Sequence, residues 1–368
     1  MTINAHALSA GAALEVLDHG WQAQSAGGLT ASWMLHGRPG VGKTQIVRQL
    51  ADRIGARLFD LRLTTIEPQD LRGLPYYDHD AKRTVWYRPE DLPDDPETPS
   101  ILFLDELTAA QPTLQPTVYG LLQERRVGRH LLPPSVLIVA AGNTVDDGAI
   151  AYDMGTALSD RLIHIEVQAD PAQWLGHYAP ANAIHPAVTA FLRGRPDLFE
   201  TTEEAIRQGL MVACTPRSWE RVSDILKSVP DRAARNAMVA GTIGAAPAAE
   251  FAVIADDIAA ATAVEDMLAA SHRDRRAMYP ATMHGLTAVI YGTVALADRK
   301  NAPQAIETMA EIRSLAEHRD EPAFAAMPLG ELTAFGFEML IRKALAQGWH
   351  GAFATSPAYR VYSAQRGG

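Results

Sequence analysis

Residues 37–44 read GRPGVGKT, which matches the spacing G-x-x-x-x-G-K-[ST] of a phosphate-binding loop. Glycines in such a loop let the backbone pass close to phosphate groups and turn its N–H groups toward them. The Lys43 ammonium can reach the β- and γ-phosphates, and the Thr44 hydroxyl can bind Mg²⁺. The sequence therefore predicts binding of ATP and Mg²⁺ by Gly37, Arg38, Pro39, Gly40, Val41, Gly42, Lys43 and Thr44.

A second candidate group follows the apolar run ILFL at 101–104, where Asp105 and Glu106 are adjacent. Carboxylates at the end of a buried parallel strand face the crevice in which ligands bind. Asp105 is a candidate Mg²⁺ ligand, since aspartates at this position hold the metal in P-loop enzymes. Glu106 is placed to activate a water molecule, which a hydrolase needs and a kinase does not.

A third polar residue, Asn143, follows the apolar run VLIVAAG. An amide at this point can hydrogen-bond both the γ-phosphate and the attacking water. Asparagine after a strand is by itself only a common turn residue. Its place in series with the two earlier motifs favours a catalytic role.

Five short apolar runs must position these residues, and helical segments separate them: SWMLH, RLFDLRL, SILFLDEL, VLIVAAGN and RLIHIEV. Runs too apolar for burial on one side predict a parallel sheet covered by helices on both faces. Between the second and third runs, the aromatic alternation PYYD…TVWYRP predicts an inserted β-hairpin. Its aromatic residues, from Tyr76 to Trp86, either contact a partner or pack on the core.

The character of the chain changes after residue 170. The remainder has Ala-rich helical spacing and no convincing strand pattern. We predict an α/β core over 1–170, a helical lid over 171–262 and a further helical segment over 263–368.

Bulk properties narrow the class of protein. The 368-residue chain has a formal net charge of −10, which disfavours non-specific binding to nucleic acid. Its single cysteine, Cys214, excludes an internal disulfide and is expected to be a buried apolar residue. The N-terminus lacks a signal-peptide pattern, and no run of about 18 apolar residues occurs. We therefore expect a cytoplasmic protein without a membrane span. We also expect no metal other than Mg²⁺, because the histidines lack metal-ligand spacing.

The succession GRPGVGKT, ILFLDEL, AAGN, ALSDRLIHIEV and CTPRSWERV resembles the AAA+ ATPases. It is most similar to their MoxR group, which includes the nitric-oxide reductase, rubisco and gas-vesicle activators. Residues 70–89 resemble that group's hairpin insertion, and YGLLQERRVGRHLLPP at 119–134 resembles the segment before its sensor 1. The resemblance implies a P-loop NTPase fold with hairpin insertions and an α-helical lid, and it covers residues 30–230 or so.

The resemblance also implies roles for two arginines. Arg161, in SDRL, matches the arginine finger that reaches the γ-phosphate of a neighbouring subunit, and Arg217, in TPRS, matches sensor 2. Asn143 matches sensor 1. Arg161 could instead form an ion pair with Asp160 or Glu166 in its own subunit, and Arg217 could simply cap a helix.

The leading hypothesis is an ATP hydrolase that assembles into a ring, with six subunits expected, and remodels a protein partner. The resemblance implies that a von Willebrand factor A domain protein is such a partner. A nucleic-acid motor and an ATP-gated scaffold are the alternatives. Two basic clusters, residues 124–130 and 272–276, either contact a partner or form a solvated face.

Overall fold

A computed structural model describes residues 4–143, 159–261 and 264–366 of the chain. These residues form two compact units. The first comprises the chain up to residue 170 together with residues 202–208, and the second comprises 171–201 and the chain from 209 onward. The boundary at 262–263 that the sequence suggested stays a prediction.

The first unit is built on a sheet of six parallel strands in the order β1-β10-β2-β9-β6-β3. The described strands are β1 Ala7–Ser9, β2 Ser32–His36, β3 Arg57–Arg62, β4 Pro75–Asp78, β5 Arg83–Trp86, β6 Ser100–Asp105, β7 Arg126–Val127, β8 His130–Leu131, β9 Val136–Gly142 and β10 Leu162–Gln168. All five neighbouring pairs join strands that are not consecutive in the chain, so the connections cross over the sheet. Parallel pairing requires such crossovers.

Helices cover both faces of this sheet. The first four are α1 Ala10–Ser25, α2 Lys43–Ile54, α3 Pro68–Arg72 and α4 Gln115–Glu124. One apolar cluster contains Met34, Leu102 and Ile138, and the other contains Leu35, Phe103 and Val139. Alternate residues of each strand point to opposite faces, so both sets are buried. The predicted doubly covered parallel sheet is confirmed.

Two antiparallel hairpins are inserted into the α/β core. Strands β4 and β5 pair with Pro75 opposite Trp86, and β7 pairs with β8. The first is the hairpin that the aromatic alternation predicted. Tyr76, Tyr77 and Tyr87 are exposed, so packing on the core does not account for these three aromatic side chains.

The second unit is helical, and residues 171–201, 209–261 and 264–366 contain no strand. Its first segment runs through Pro171–Gln173, a π-helical turn at Trp174–Tyr178 and Ala179–Ala181. The later helices of the chain are α5 Pro186–Gly194, α6 Thr202–Gln208, α7 Pro216–Ser228, α8 Arg232–Ile243, α9 Ala245–Ala261, α10 Val264–Ala269, α11 His272–Met278, α12 Met283–Leu296, α13 Ala302–Arg313, α14 Leu315–His318, α15 Pro322–Ala325, α16 Leu329–Ala346, α17 Gly351–Thr355 and α18 Pro357–Arg366. Of these, α6 belongs to the first unit.

The interior of the second unit contains packed aromatic residues and a buried ionic network. Phe191, Trp219 and Phe251 are in mutual ring contact. Elsewhere, the Arg275 guanidinium is 1% exposed and donates hydrogen bonds of 3.0 and 2.8 Å to the two carboxylate oxygens of Glu311. Each charge of this ion pair is therefore balanced by its partner inside the protein.

Cys214 is fully buried, as expected from its sequence context. Its Sγ atom lies 3.5 Å from the carbonyl oxygen of Ile243. Burial raises the pKa of the thiol to about 11. Within the described ranges, no helix has the length and apolar character needed to cross a bilayer.

Candidate functional site

The three segments predicted to carry the site residues meet at the carboxyl end of the sheet. Strands β2, β6 and β9 are parallel and adjacent through β9, with Leu35 opposite Ala141 and Leu104 opposite Ala140. Their carboxyl ends therefore lie side by side. The phosphate-binding loop follows β2, Glu106 follows β6, which ends at Asp105, and Asn143 follows β9.

Two glycines make the loop possible. Gly42 immediately precedes α2 and has φ of 103°, a conformation that side-chain-bearing residues rarely adopt. A Cβ atom at Gly37 would lie 2.4 Å from the carbonyl oxygen of Val167. Because α2 begins at Lys43, the unpaired N–H groups of its first turn lie beside the loop, where they favour an anion.

Lys43 and Asn143 are in direct contact. The Lys43 ammonium donates a hydrogen bond of 2.8 Å to Oδ1 of Asn143 and another of 3.1 Å to the carbonyl oxygen of Arg38. It also donates to the carbonyl oxygen of Gly37. These three acceptors are uncharged oxygens, which a phosphate group could replace with a stronger electrostatic attraction.

Thr44 and Asp105 are also brought together. The Thr44 hydroxyl donates to Oδ2 of Asp105 at 3.4 Å. Burial raises the pKa of the Asp105 carboxyl above its ordinary value, although the backbone N–H of Glu106, 3.0 Å from Oδ1, opposes this shift. A hydroxyl and a carboxylate are hard oxygen donors of the kind that Mg²⁺ prefers, so these residues fit that ion. Among the described residues, no group of three or more His, Cys, Asp and Glu side chains forms a metal-binding cluster.

Glu106 has an unusual backbone conformation and two side-chain partners. Its φ of 60° and ψ of 35° lie in the left-handed region, which costs a non-glycine residue roughly 1 kcal/mol or more. The Thr64 hydroxyl donates to Oε2 of Glu106, and Nε of Arg62 lies 3.7 Å from Oε1. No sequence motif marks Thr64, which becomes a neighbour of Glu106 because β3 pairs with β6.

Thr108 contacts the backbone of Asn143, whose side chain contacts Lys43. Its hydroxyl oxygen accepts a hydrogen bond of 3.1 Å from the backbone N–H of Asn143. A Cβ atom at Gly142 would lie 2.6 Å from that oxygen, so glycine is needed for this approach. Thr108 was also missed in the sequence, because it is 35 residues from its partner.

The other predicted residues have distinct surroundings. Arg38, in the loop, forms an exposed ion pair of 2.8 Å with Glu203 of α6. Arg161 is exposed and immediately precedes β10. Arg217 is exposed in the first turn of α7, in the second unit.

Arg217 does not cap its helix. Thr215 and Ser218 form the capping box there, with the Thr215 hydroxyl accepting from the Ser218 N–H at 3.1 Å. A cation in the first turn of a helix is unfavourable, because the positive end of the helix dipole lies there. The capping role that the sequence left open for Arg217 is therefore wrong.

A pair of histidines lies directly beside the loop. Nε2 of His36, the last residue of β2, is 2.7 Å from Nδ1 of His164 in β10. Nε2 of His164 lies 2.8 Å from the carbonyl oxygen of Ser159. The sequence could not have paired these histidines, which are 128 positions apart.

The parallel sheet, the glycine loop before α2 and the convergent carboxylates define a P-loop nucleotide-binding core. Residues 32–162 match the family model of the AAA domain, dynein-related subfamily. The first unit thus has the fold of an AAA+ P-loop domain over the matched residues. No curated protein is significantly similar to the chain in sequence.

Several solved structures are distantly similar to the whole chain. A candidate ATPase from Cytophaga hutchinsonii has 13% identity and a TM-score of 0.33, with coverage of 90% of this chain and 88% of that chain. A RuvB mutant from Thermotoga maritima has 12% identity and a TM-score of 0.37, with coverage of 96% and 93%. NtrX from Brucella abortus in complex with ADP has 17% identity and a TM-score of 0.38, with coverage of 95% and 70%. These similarities are too distant to support an inference about function.

Proposed function

We propose that the chain is a Mg²⁺-dependent ATP hydrolase of the MoxR group, which works as a ring and remodels a protein partner. The observation that carries the proposal is the convergence of Lys43, Thr44, Asp105, Glu106 and Asn143 at one edge of the sheet. They contribute an ammonium, a hydroxyl, two carboxylates and an amide. Together they match the needs of phosphoryl transfer to water.

Binding and charge neutralisation fall to the loop and the first carboxylate. In this proposal Lys43 leaves its carbonyl partners and contacts the β- and γ-phosphates, while the loop N–H groups surround them. Thr44 and Asp105 would hold Mg²⁺, which supplies electrostatic stabilisation of charge on the phosphate oxygens when it is bound. Asn143 orients the γ-phosphate and the attacking water through its amide.

Glu106 is the proposed general base. Its carboxylate accepts a proton from the attacking water as the water oxygen bonds to the γ-phosphorus and the bond to ADP breaks. Thr64 and Arg62 both contact this carboxylate. Release from Thr64 would free a carboxylate oxygen for the water.

The ring is part of the same proposal. Arg161 would stabilise the γ-phosphate of a neighbouring subunit, and Arg217 would contact the nucleotide of its own subunit. A closed ring, with six subunits as the expected number, follows from an arginine supplied across each subunit boundary. The exposed tyrosines of the β4–β5 hairpin are suited to contact a client, and a von Willebrand factor A domain protein is the proposed partner class.

The test of the proposal is Glu106→Gln with Glu97→Gln as a matched control. Glu97 is an exposed glutamate in the loop before β6. We expect Glu106→Gln to bind ATP with the wild-type Kd and to lower kcat by about 10²- to 10⁴-fold, because an amide cannot accept the proton. Calorimetry measures the Kd and phosphate release measures kcat. Wild-type turnover by Glu106→Gln would exclude Glu106 as the base.

A further inference from the structure

The two histidines beside the phosphate-binding loop meet edge to edge. The planes of their rings are within 16° of each other, and the ring centres are 5.0 Å apart. With a nitrogen-to-nitrogen distance of 2.7 Å, the two contacting nitrogens lie between the ring centres rather than above one another. The contact is therefore an in-plane hydrogen bond, and face-to-face stacking does not describe it.

The neighbours of His164 fix the direction of this bond. The carbonyl oxygen of Ser159 can only accept, so Nε2 of His164 must carry a proton. When both rings are neutral, Nδ1 of His164 is an acceptor and Nε2 of His36 is the donor. The result is a continuous chain of hydrogen bonds from His36 through His164 to the backbone of Ser159.

This chain connects two functional segments of the same subunit. His36 is covalently joined to Gly37, the first residue of the phosphate-binding loop. Ser159 is two residues before Arg161. Other side chains of β2 and β10, such as Leu35, Ile165 and Val167, are buried and apolar, and His36 itself is 5% exposed. A partly buried polar pair at such a place needs its hydrogen bonds to offset the loss of hydration.

We propose that His164 is a positioning residue, which fixes the segment bearing Arg161 relative to the phosphate-binding loop of its own subunit. The inference rests on the proposed function, in which Arg161 acts on the nucleotide of the neighbouring subunit. The series of hydrogen bonds then links the loop that holds the nucleotide of one subunit to the arginine that acts on the nucleotide of the neighbouring subunit. Movement of the loop on nucleotide binding would be passed to the arginine without a contact between His164 and either nucleotide.

Two substitutions separate the two hydrogen bonds of His164. In His164→Gln, the side-chain amide can still donate to the Ser159 carbonyl but does not reproduce Nδ1. In His164→Asn, an amide oxygen can replace Nδ1 as the acceptor from His36, and the bond to Ser159 is lost. The matched control is His19→Gln, on the exposed side of α1.

Because His164 does not contact the nucleotide in this proposal, both variants should bind ATP with a Kd within about twofold of wild type. The proposal requires both hydrogen bonds. The kcat of each should fall roughly two- to tenfold, the effect of one buried hydrogen bond, and the control should not change. In an Arg161→Lys background, either His164 substitution should have little further effect, because its action passes through Arg161. Wild-type kcat in both variants, loss of ATP binding, or a full multiplicative effect in that background would each overturn the inference.

The same measurements separate this inference from the proposed function. If Arg161→Ala retains full ATPase activity, then the proposed role of Arg161 fails and the inference falls with it. If Arg161→Ala is inactive while both His164 variants turn over normally, only the positioning role of His164 is excluded.

Discussion

The two units of the molecule each bury charged groups, but they satisfy those groups in different ways. In the first unit, Lys43 donates to two backbone carbonyls and a side-chain amide, and Asp105 accepts from a hydroxyl and a backbone N–H. In the second unit, the Arg275 guanidinium is held by both oxygens of Glu311 and by one oxygen of Glu307. These contacts of Lys43 and Asp105 are with neutral groups, whereas those of Arg275 are with full opposite charges.

The difference indicates how a buried charge can be interpreted. Neutral partners satisfy a charged group but leave most of its electrostatic attraction unused, so that a ligand of opposite charge can replace them. A guanidinium already paired with two carboxylates gains little from an added anion. Burial of charge alone therefore does not mark a functional site, whereas burial with replaceable neutral partners does.

The largest expected effect tests whether the ATP site of the first unit needs a residue from a neighbouring subunit. Arg161→Ala should retain the wild-type Kd for ATP and lower kcat by about 10³- to 10⁵-fold, or roughly 4–7 kcal/mol, because a trans arginine stabilises charge on the transferred phosphoryl group. Phosphate release measures the rate, and Arg48→Ala, an exposed arginine paired with Asp60, is the control. Full activity of Arg161→Ala, at a concentration where the wild type is monomeric, would contradict the ring.

The second prediction tests whether the charged cluster of the second unit is structural. Arg275→Met should lower the free energy of unfolding by about 3–5 kcal/mol, because the buried Glu311 carboxylate loses its guanidinium partner and keeps Tyr279 and His272 beside it. Urea denaturation measures this loss, and Arg273→Met, on the exposed side of the same helix, should change stability by less than about 0.5 kcal/mol.

A double variant sharpens this second comparison. Arg275→Met combined with Glu311→Leu removes both charges and should recover much of the lost stability. The affinity for ATP should be the same in Arg275→Met, Arg273→Met and the double variant. A large loss of ATP binding by Arg275→Met at a temperature where the protein remains folded would show that the network has a functional role.

The smallest expected effect concerns a single hydroxyl in the first unit. Thr64→Ala removes the hydrogen bond to Glu106, so that its carboxylate is freer to contact water. We expect basal ATP turnover to rise roughly two- to tenfold. Steady-state ATPase assays test this, with Thr84→Ala on the exposed face of β5 as the control. A fall in turnover would mean that Thr64 holds Glu106 in its working position.

The sequence predicted much of the first unit, because apolar runs, glycine spacing and terminal acids are local signals. Five of the six strands of the main sheet and the β4–β5 hairpin were found in this way. The three-residue strand β1 was missed, since so short a segment has no periodicity and is defined only by its pairing with β10. The assignment of α6 to the first unit likewise depends on tertiary contacts.

The environment of individual charged residues was beyond the reach of sequence patterns. The clusters at 124–130 and 272–276 each contain an arginine that is directed inward. Arg125 donates to the carbonyl oxygen of Pro133 at 3.2 Å, and Arg275 is in the network with Glu311. A run of basic residues gives no indication of which member is buried, because that depends on the phase of the helix and on distant partners.

Cys214 has a practical consequence for following this molecule in solution. Thiolate is the form that reacts with maleimides and disulfides, and burial together with a raised pKa keeps it scarce at this residue. The native chain should therefore be almost silent toward thiol reagents. A cysteine introduced at Tyr77, on the exposed hairpin, would be the only reactive thiol, so a fluorophore or cross-linker could be attached there without first removing the native one.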